Sequence, residues 1–329
     1  MTSFSKISQL DPGRNLPKLA IVVPCFNEEA SIPKVVHALR NVLDRLVSTN
    51  EISAESFIYF VDDGSSDKSW NLLITTHASD RYVRGLKLSR NFGHQNALLA
   101  GLMSVKDRCD VSVSIDADLQ QDANAIDQFI TSYKNGAEVV FGIRRDRSTD
   151  GFMKHATALA FYKLMNAMGV ATIPNHADYR LLSTKAMAVL AEHTEPDLFL
   201  RAICAQIGFK SETVYFNVTD RQAGMSKYSV MKMIKLAVNG ITAFSVVPLR
   251  VIAVLGFLIF SASVLMAFYI LGRALVVGDT VPGWASTTLP IYFLGGVQIL
   301  CMGVIGEYLA QVASTVKRRP RYISDDEIF

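Results

Sequence analysis

The sequence predicts an α/β fold on a mainly parallel, doubly wound sheet, followed by an apolar C-terminal module. Short apolar runs alternate with helix-period segments across residues 19–144. Several of those runs end in polar clusters. From residue 251 onward, long uncharged stretches replace the mixed surface of the first part.

The elements follow in order. Leu19–Pro24 (LAIVVP) reads as a buried strand, then Glu28, Glu29 and a periodic helix over Ser31–Leu46. Phe57–Val61 is a second strand, ending in Asp62-Asp63-Gly64-Ser65, with a helix over Lys68–His77. Arg84–Leu88 makes a third strand, and His94–Lys106 an Ala/Leu-rich helix. Val111–Ile115 runs into Asp116-Ala117-Asp118. Ala125–Asn135 is helical with Gly136 as its C-cap, and Glu138–Phe141 runs into Gly142-Ile143-Arg144. In an open sheet of this kind, ligands bind beyond the carboxyl ends of the strands. Asn27 and Glu28, Asp62 and Asp63, Asp116 and Asp118, and Arg144 all sit at such ends.

Residues 145–230 are mixed, with a helix expected over Lys154–Met168. Val251–Gly272 is 22 residues without a charge, enough to span roughly 30 Å of bilayer core as a helix. A second uncharged stretch runs from Thr280 to Gly306. Both are expected to be transmembrane helices, and Gly295, Gly296, Gly303 and Gly306 would permit close packing. Basic residues flank the pair on the outer sides, which places both termini in the cytosol. The expected organisation is a polar tail (1–18), an α/β domain (19–228), an amphipathic juxtamembrane helix (229–248), a hairpin (249–314) and a basic tail (315–329). Residence is expected in an inner (cytoplasmic) membrane as a multi-pass protein.

Lys and Arg number 33 against 30 Asp and Glu, a formal net charge of +3. Bulk charge therefore gives no reason to expect nucleic acid as a partner. Cys25, Cys109, Cys204 and Cys301 show neither CxxC nor zinc-ligand spacing, and read as buried reduced thiols. The N-terminus has no apolar core of a signal peptide. No GxGxxG and no GxxxxGK[ST] occurs, which disfavours a dinucleotide fold and a P-loop ATPase.

Asp116-Ala117-Asp118 is a DxD beyond a strand, and two carboxylates so placed can share a divalent cation that also meets substrate phosphates. Asp62 and Asp63 either cap a helix or accept from a base N–H or a ribose hydroxyl. Arg144, Lys154, Arg221 and Lys227 suit phosphate, or simply cover the surface. His94 and His176 lie near these segments, and each reads as a structural hydrogen-bonding residue rather than a metal ligand.

VVPCFNEE (22–29), VDDGSSD (61–67), RNFGHQNAL (90–98), SIDADLQ (114–120) and DRQAGMSKY (220–228) together resemble family 2 glycosyltransferases with a GT-A fold. RRDRSTDG (144–151), ADYRL (177–181) and FLGGVQILCMGVIGEY (293–308) resemble the bactoprenol (undecaprenyl-phosphate) glucosyltransferase branch, a relative of dolichyl-phosphate mannose synthases. The resemblance covers the chain from residue 18 to 322 and is specific as a set. It implies inverting transfer of a hexose, glucose from UDP-glucose first, to undecaprenyl phosphate for cell-envelope glycan modification such as that of O-antigen. It also implies that Pro24, Glu28, Asp62 and Asp63 hold the nucleoside. Asp116 and Asp118 serve Mg²⁺ or Mn²⁺ and the diphosphate, Asp118 ahead of Asp116 as direct ligand, and Gln120 lies near the sugar. Arg144, Lys154, Arg221 and Lys227 hold the acceptor phosphate, and Asp178 orients acceptor or sugar, or accepts a proton late. The implied partners are membrane lipid, a homo-oligomer (tetramers occur among such enzymes), a separate flippase and a downstream glycosyltransferase.

Three rivals stand beside this reading. A processive polysaccharide synthase would carry a QxxRW motif, and Trp70 and Trp284 lie in none. A non-catalytic scaffold or flippase partner would lose a metal Asp, and both are present. A dolichyl-phosphate mannose synthase-like use of GDP-mannose, or another nucleotide sugar, is separated only by testing donors.

Overall fold

A computed structural model describes residues 16–118, 120–145, 176–193, 200–217, scattered positions of 249–269, 284–317 and 319–329. The chain divides into two compact units. Residues 1–162, 171–227 and 319–329 form the first, and residues 163–170 and 228–318 the second.

The first unit is built on an eight-stranded sheet of order β7-β5-β6-β4-β1-β2-β3-β8. At its centre lies β1 (Leu19–Cys25), buried at every position. It pairs in parallel with β2 (Phe57–Asp62) on one side and β4 (Val111–Ser114) on the other. The continuous apolar runs are explained by this placement, because both faces of such strands are covered. β3 (Val83–Leu88) continues the parallel array. β5 (Val139–Arg144) and β7 (Ser211–Phe216) pair in parallel with each other at the far side. β6 (His176–Ser183) runs antiparallel between β4 and β5. The other antiparallel strand is β8 (Ser324–Ile328), which closes the β3 edge.

Helices follow the predicted alternation. α1 (Ile32–Ser48) buries Ile32, Val35, Val36, Leu39, Val42, Leu43 and Leu46, a stripe at three- and four-residue spacing. α2 (Ser69–Ser79) follows β2, and α3 (His94–Val105) follows β3. α3 lies close on the sheet at Gly101, where a Cβ would sit 2.5 Å from Val22 and 2.7 Å from Val61. α4 (Ile126–Lys134) ends before Gly136, whose φ of 95° fits the expected helix-ending glycine. α5 (Thr184–Glu192) and α6 (Leu200–Gln206) complete the unit.

The strands and helices expected between residues 19 and 144 are all found, with ends shifted by up to three residues. The helix expected over 154–168 and the amphipathic helix over 229–248 fall outside the described residues, apart from position 249 just beyond.

The expectation of two transmembrane helices, and with it of multi-pass residence in an inner membrane, is corrected. A hydrocarbon core demands about 20 consecutive, predominantly apolar residues in one helix. Among the described residues, no helix is long and apolar enough to cross a membrane. The second stretch instead belongs to a helix over Trp284–Val316, which contains Pro290 and carries Ser286, Thr287, Thr288, Gln298, Glu307 and Gln311. The first, 251–272, is described only at scattered positions.

Candidate functional site

The loops after β1 and β2 lock together. Asn27 takes a left-handed φ of 55°, and its amide N–H donates to Ser65 Oγ at 2.9 Å. Its side-chain oxygen accepts from Ser66 N–H at 2.8 Å. Glu28 N–H donates to Ser69 Oγ, and Glu29 N–H to Asp67. Glu28 also starts α1, accepting from Ser31 Oγ at 2.6 Å and, through its carbonyl, from the Ser31 and Ile32 amides. Pro24 is buried at the end of β1, in register with Val61.

The start of α2 is served by Asp67, which accepts from Ser69 N–H at 2.9 Å. Asp62 and Asp63 are therefore not consumed as caps of that helix. Asp62 is fully buried and accepts from Ser65 through Oδ1, while Oδ2 is buried without a hydrogen-bond partner. Burial lifts its carboxyl above the ordinary range, against the Ser65 hydrogen bonds. Asp63 accepts from Phe92 N–H at 2.7 Å and Gly93 N–H at 2.9 Å. Burial lifts Asp63 as well, and those two amides pull the other way. Gly64 between these acids and Ser65 has a φ of 69°, and a Cβ there would lie 2.4 Å from the Arg90 carbonyl carbon. Only glycine fits this approach of two backbones.

Beyond β4 the chain turns so that Ala117 is buried while Asp116 and Asp118 remain partly exposed. Asp116 and Gln121 pair reciprocally: Asp116 N–H donates to Gln121 Oε1 at 3.1 Å, and Gln121 Nε2 donates to Asp116 Oδ2 at 2.7 Å. Asp118 accepts from Gln120 N–H at 3.1 Å. Burial raises the Asp116 carboxyl, with the charges of Asp178 and Asp118 adding and His94 and Arg201 opposing.

Asp178 reaches the same edge because β6 is antiparallel. Ser114, the last residue of β4, pairs with Arg180, so the start of β6 lies past the carboxyl end of β4. Asp178 is buried, and cations and amides surround its carboxylate. Arg180 donates to Oδ1, Arg201 donates from Nε at 3.2 Å and from Nη2 at 2.9 Å, and Gln95 Nε2 donates at 3.2 Å. His94 Nε2 stands 3.5 Å from Asp116 and 3.8 Å from Asp178. Burial opposes ionisation, but Arg201 and Arg180 outweigh it and hold Asp178 well below the usual carboxylate range.

The site is thus one chain of contacts along the carboxyl edge. It runs from Asp63 through the Phe92–Gly93 amides to His94 and Gln95, and on to Asp178 and Arg201, with Asp116 alongside. Arg144 lies at the end of β5, in register with Phe216. Lys154, Arg221 and Lys227 lie outside the described residues. Gln95, Arg180 and Arg201 had no role in the sequence reading, and His94 was read as a structural hydrogen-bonding residue. The signal for Arg180 is the Asp178-x-Arg180 spacing, which puts two opposite charges on one face of a strand.

Among the described residues, no group of three or more His, Cys, Asp and Glu is arranged to hold a metal. The donor chemistry of Asp116 and Asp118 nevertheless fits a hard divalent cation. They are carboxylates at one turn, and burial and mutual repulsion raise Asp116. A cation held there would take its remaining oxygens from substrate and water.

A mostly parallel sheet carrying a DxD at its carboxyl edge defines a glycosyltransferase of the GT-A type. The comparisons agree. Residues 20–189 match the family model "Glycosyl transferase family 2". The chain is 46% identical to the uncharacterized glycosyltransferase YkoT of Bacillus subtilis (strain 168), over 95% of this chain and 93% of that one. It is 37% identical to the bactoprenol glucosyl transferase of Shigella phage SfII, over 93% of this chain and 97% of that one. To the prophage bactoprenol glucosyl transferase homolog of Escherichia coli (strain K12) it is 35% identical, over 93% and 98%. A crystal structure of a mycobacterial protein, 13% identical, shares the fold with a TM-score of 0.50 over 74% of this chain and 78% of that one. This chain belongs to glycosyl transferase family 2.

Proposed function

We propose that this glycosyltransferase moves a hexose, glucose from UDP-glucose first, onto undecaprenyl phosphate with inversion at the anomeric carbon. The observation that carries the reading is the kinship, over more than nine-tenths of both chains, with proteins named bactoprenol glucosyl transferases.

The chemistry asks little of a base. The second ionisation of a phosphate monoester lies near pH 6, so the acceptor is largely anionic at neutral pH. The chain's work is positioning and charge compensation. Asp116 and Asp118 would hold Mg²⁺ or Mn²⁺ against the donor diphosphate. When bound, such a cation neutralises charge gathering on the departing nucleoside diphosphate. The interlocked loops after β1 and β2 would form the nucleoside wall, with Pro24 and Glu28 in their frame. The unpartnered Asp62 oxygen suits a base N–H, since a buried acceptor left alone is costly. Asp63 would fix the 92–93 turn beside it. Gln120 would lie by the sugar. Arg144, Lys154, Arg221 and Lys227 would offset repulsion between acceptor phosphate and diphosphate.

The test incubates purified protein in detergent with undecaprenyl phosphate, Mg²⁺ or Mn²⁺ and a panel of radiolabelled nucleotide sugars. Label from UDP-glucose should enter the organic phase only with metal, and Asp118→Ala should abolish it. Transfer from GDP-mannose in preference to UDP-glucose would replace the donor, and no transfer from any donor by folded protein would sink the proposal.

A further inference from the structure

The turn that carries the DxD is closed by a side chain to which the proposed reaction gives no part. Gln121 is buried, and both ends of its amide bind one residue. Its Oε1 accepts from Asp116 N–H at 3.1 Å, and its Nε2 donates to Asp116 Oδ2 at 2.7 Å. The two bonds fix the sense of the amide, because a backbone N–H only donates and a carboxylate only accepts. They also fix the carboxylate, since turning it would break the bond to Oδ2. The other oxygen, Oδ1, makes no hydrogen bond among the described residues, and His94 Nε2 stands 3.5 Å from it. Asp118 is arranged alike. Its Oδ1 accepts from Gln120 N–H, and its Oδ2 makes no hydrogen bond among the described residues. Gln121 is held in turn by β6. Tyr179 Oη donates to the carbonyl of Asp122, the next residue along, at 2.9 Å. The buried Tyr179 ring packs on Phe129 and Phe216, with centroids 4.7 and 5.1 Å away. The Asp122 side chain accepts from Asn124 N–H and so starts the short turn Ala123–Ala125 that leads into α4. Successive residues of β6 thus serve opposite faces: Asp178 lies among the site's cations, and Tyr179 pins the segment that delivers Gln121.

We propose that Gln121 is the positioning residue of the cation site, turning Asp116 so that a divalent cation meets Oδ1 alone. This rests on the proposed use of the DxD to hold a cation against the donor diphosphate. Its consequence is selectivity among cations. Ca²⁺ takes about six to eight oxygens and often both oxygens of one carboxylate. Mg²⁺ demands a near-octahedral shell, and one or two carboxylates with phosphates and water complete it. Mn²⁺ shares that preference for six oxygens. Two carboxylates that each offer one oxygen therefore suit Mg²⁺ or Mn²⁺ and leave Ca²⁺ short of ligands.

Full-length wild type and Gln121→Met are compared by titration calorimetry with Mn²⁺ and with Ca²⁺. UDP is present, with GDP as the alternative nucleotide, and the acceptor is omitted so that turnover plays no part. Methionine keeps the length and volume of the side chain and removes both bonds to Asp116. Wild type should prefer Mn²⁺ to Ca²⁺. Gln121→Met should lose roughly tenfold in Mn²⁺ affinity, as when a hydrogen-bond partner of a metal-ligating group is removed. Its Ca²⁺ affinity should hold or rise, because the released carboxylate can turn both oxygens to the ion, so the preference for Mn²⁺ falls by about tenfold or more. An equal loss for both ions would mean that Gln121 only closes the turn, and it would overturn the proposal, as would unchanged affinities. Folded wild type that binds the nucleotide but no Mn²⁺ would overturn the assignment of a cation to the DxD and this proposal together. Should Gln121→Met fail to fold, the infrared difference spectrum of wild type on adding Mn²⁺ decides. Coordination through one oxygen widens the gap between the two carboxylate stretches, the expected result, and a narrowed gap, the mark of coordination through both, would overturn the proposal.

Discussion

Replacing Gly64 by alanine tests how the nucleoside-side loops are held. At φ 69°, an alanine lies in the left-handed region, which costs about 1–2 kcal/mol. Its Cβ would also meet Arg90 C at 2.4 Å, Arg90 Cα at 2.6 Å and Asn91 N at 2.7 Å. These are backbone atoms and cannot swing aside. Ordinary contact begins at 3.4 Å, so the 90–91 segment must retreat by 1.0 Å (3.4 minus 2.4). Overpacking of this kind costs about 1–3 kcal/mol more. The total is about 2–5 kcal/mol. Gly208 is the internal control. Its φ is 77°, and the nearest atom to its would-be Cβ is the Gln206 carbonyl oxygen at 3.8 Å, an ordinary contact, so Gly208→Ala carries the backbone strain alone. Urea unfolding followed by Trp70, buried in the first unit, in a Trp284→Phe background gives both values as midpoint shifts at constant slope. Gly64→Ala should exceed Gly208→Ala by about 1–3 kcal/mol. It should also raise the donor KM, because Arg90 and Asn91 lead directly into the amides that hold Asp63. Equal losses from the two substitutions would refute the close-approach reasoning.

Other outcomes follow from the same geometry. Asp116→Asn should lower kcat by roughly a hundred- to a thousandfold, in the range seen when a charge-stabilising group is removed, and metal titration at fixed donor should show a raised requirement. Asp178 has a depressed folded-state pKa, so its contribution is present above the unfolded value of about 3.9 and is lost as pH falls through the folded value. Acid unfolding below about pH 4 should therefore be shallower in the double variant Asp178→Asn with Arg180→Met than in wild type. Asp62 has the opposite sign: its raised carboxyl makes the folded state bind more protons, so stability falls as pH rises just above the ordinary Asp range. Asp62→Asn should flatten that part of the profile. Glu327→Ala should cost about 1–2 kcal/mol in thermal unfolding, a value discounted for exposure, by removing acceptors from Tyr59 Oη (2.6 Å) and Arg108 (2.5 Å).

How far the fold could be read from sequence depended on where each strand keeps its polar groups. β1, β2 and β4 are wrapped on both faces, so their apolar runs stand out. β6 is equally buried, yet it hides its charges as a pair, Asp178 with Arg180, and a linear reading sees only a polar segment. β7 buries only Val214 and Phe216 of its six residues. β8 has the sequence Ser-Asp-Asp-Glu-Ile and no apolar run at all. It is held from outside, by Lys87 to Asp325, by Tyr59 and Arg108 to Glu327, and by Phe329 against Phe57 and Tyr59. The DxD and the Asp62-Asp63 pair could be placed at the carboxyl edge because each ends or follows a fully buried strand. Arg201 could not, since its partner is 23 residues away and only β6 and α6 bring them together. The second uncharged stretch misled for a related reason: absence of charge is not apolarity, and its helix carries Pro290, Gln298 and Glu307.

The most direct measurement identifies the nucleotide released when UDP-glucose, undecaprenyl phosphate and wild-type protein react with Mg²⁺ or Mn²⁺. Attack by the lipid phosphate on the anomeric carbon expels the nucleoside diphosphate. UDP should therefore appear in equal amount to a glucosyl lipid, and the glucose should be β-linked from an α-linked donor. Release of UMP would place the attack on phosphorus instead, and release of UDP with free glucose and no glucosyl lipid would mean that water, not a polyprenyl phosphate, is the acceptor. Either result would contradict hexosyl transfer to the lipid phosphate.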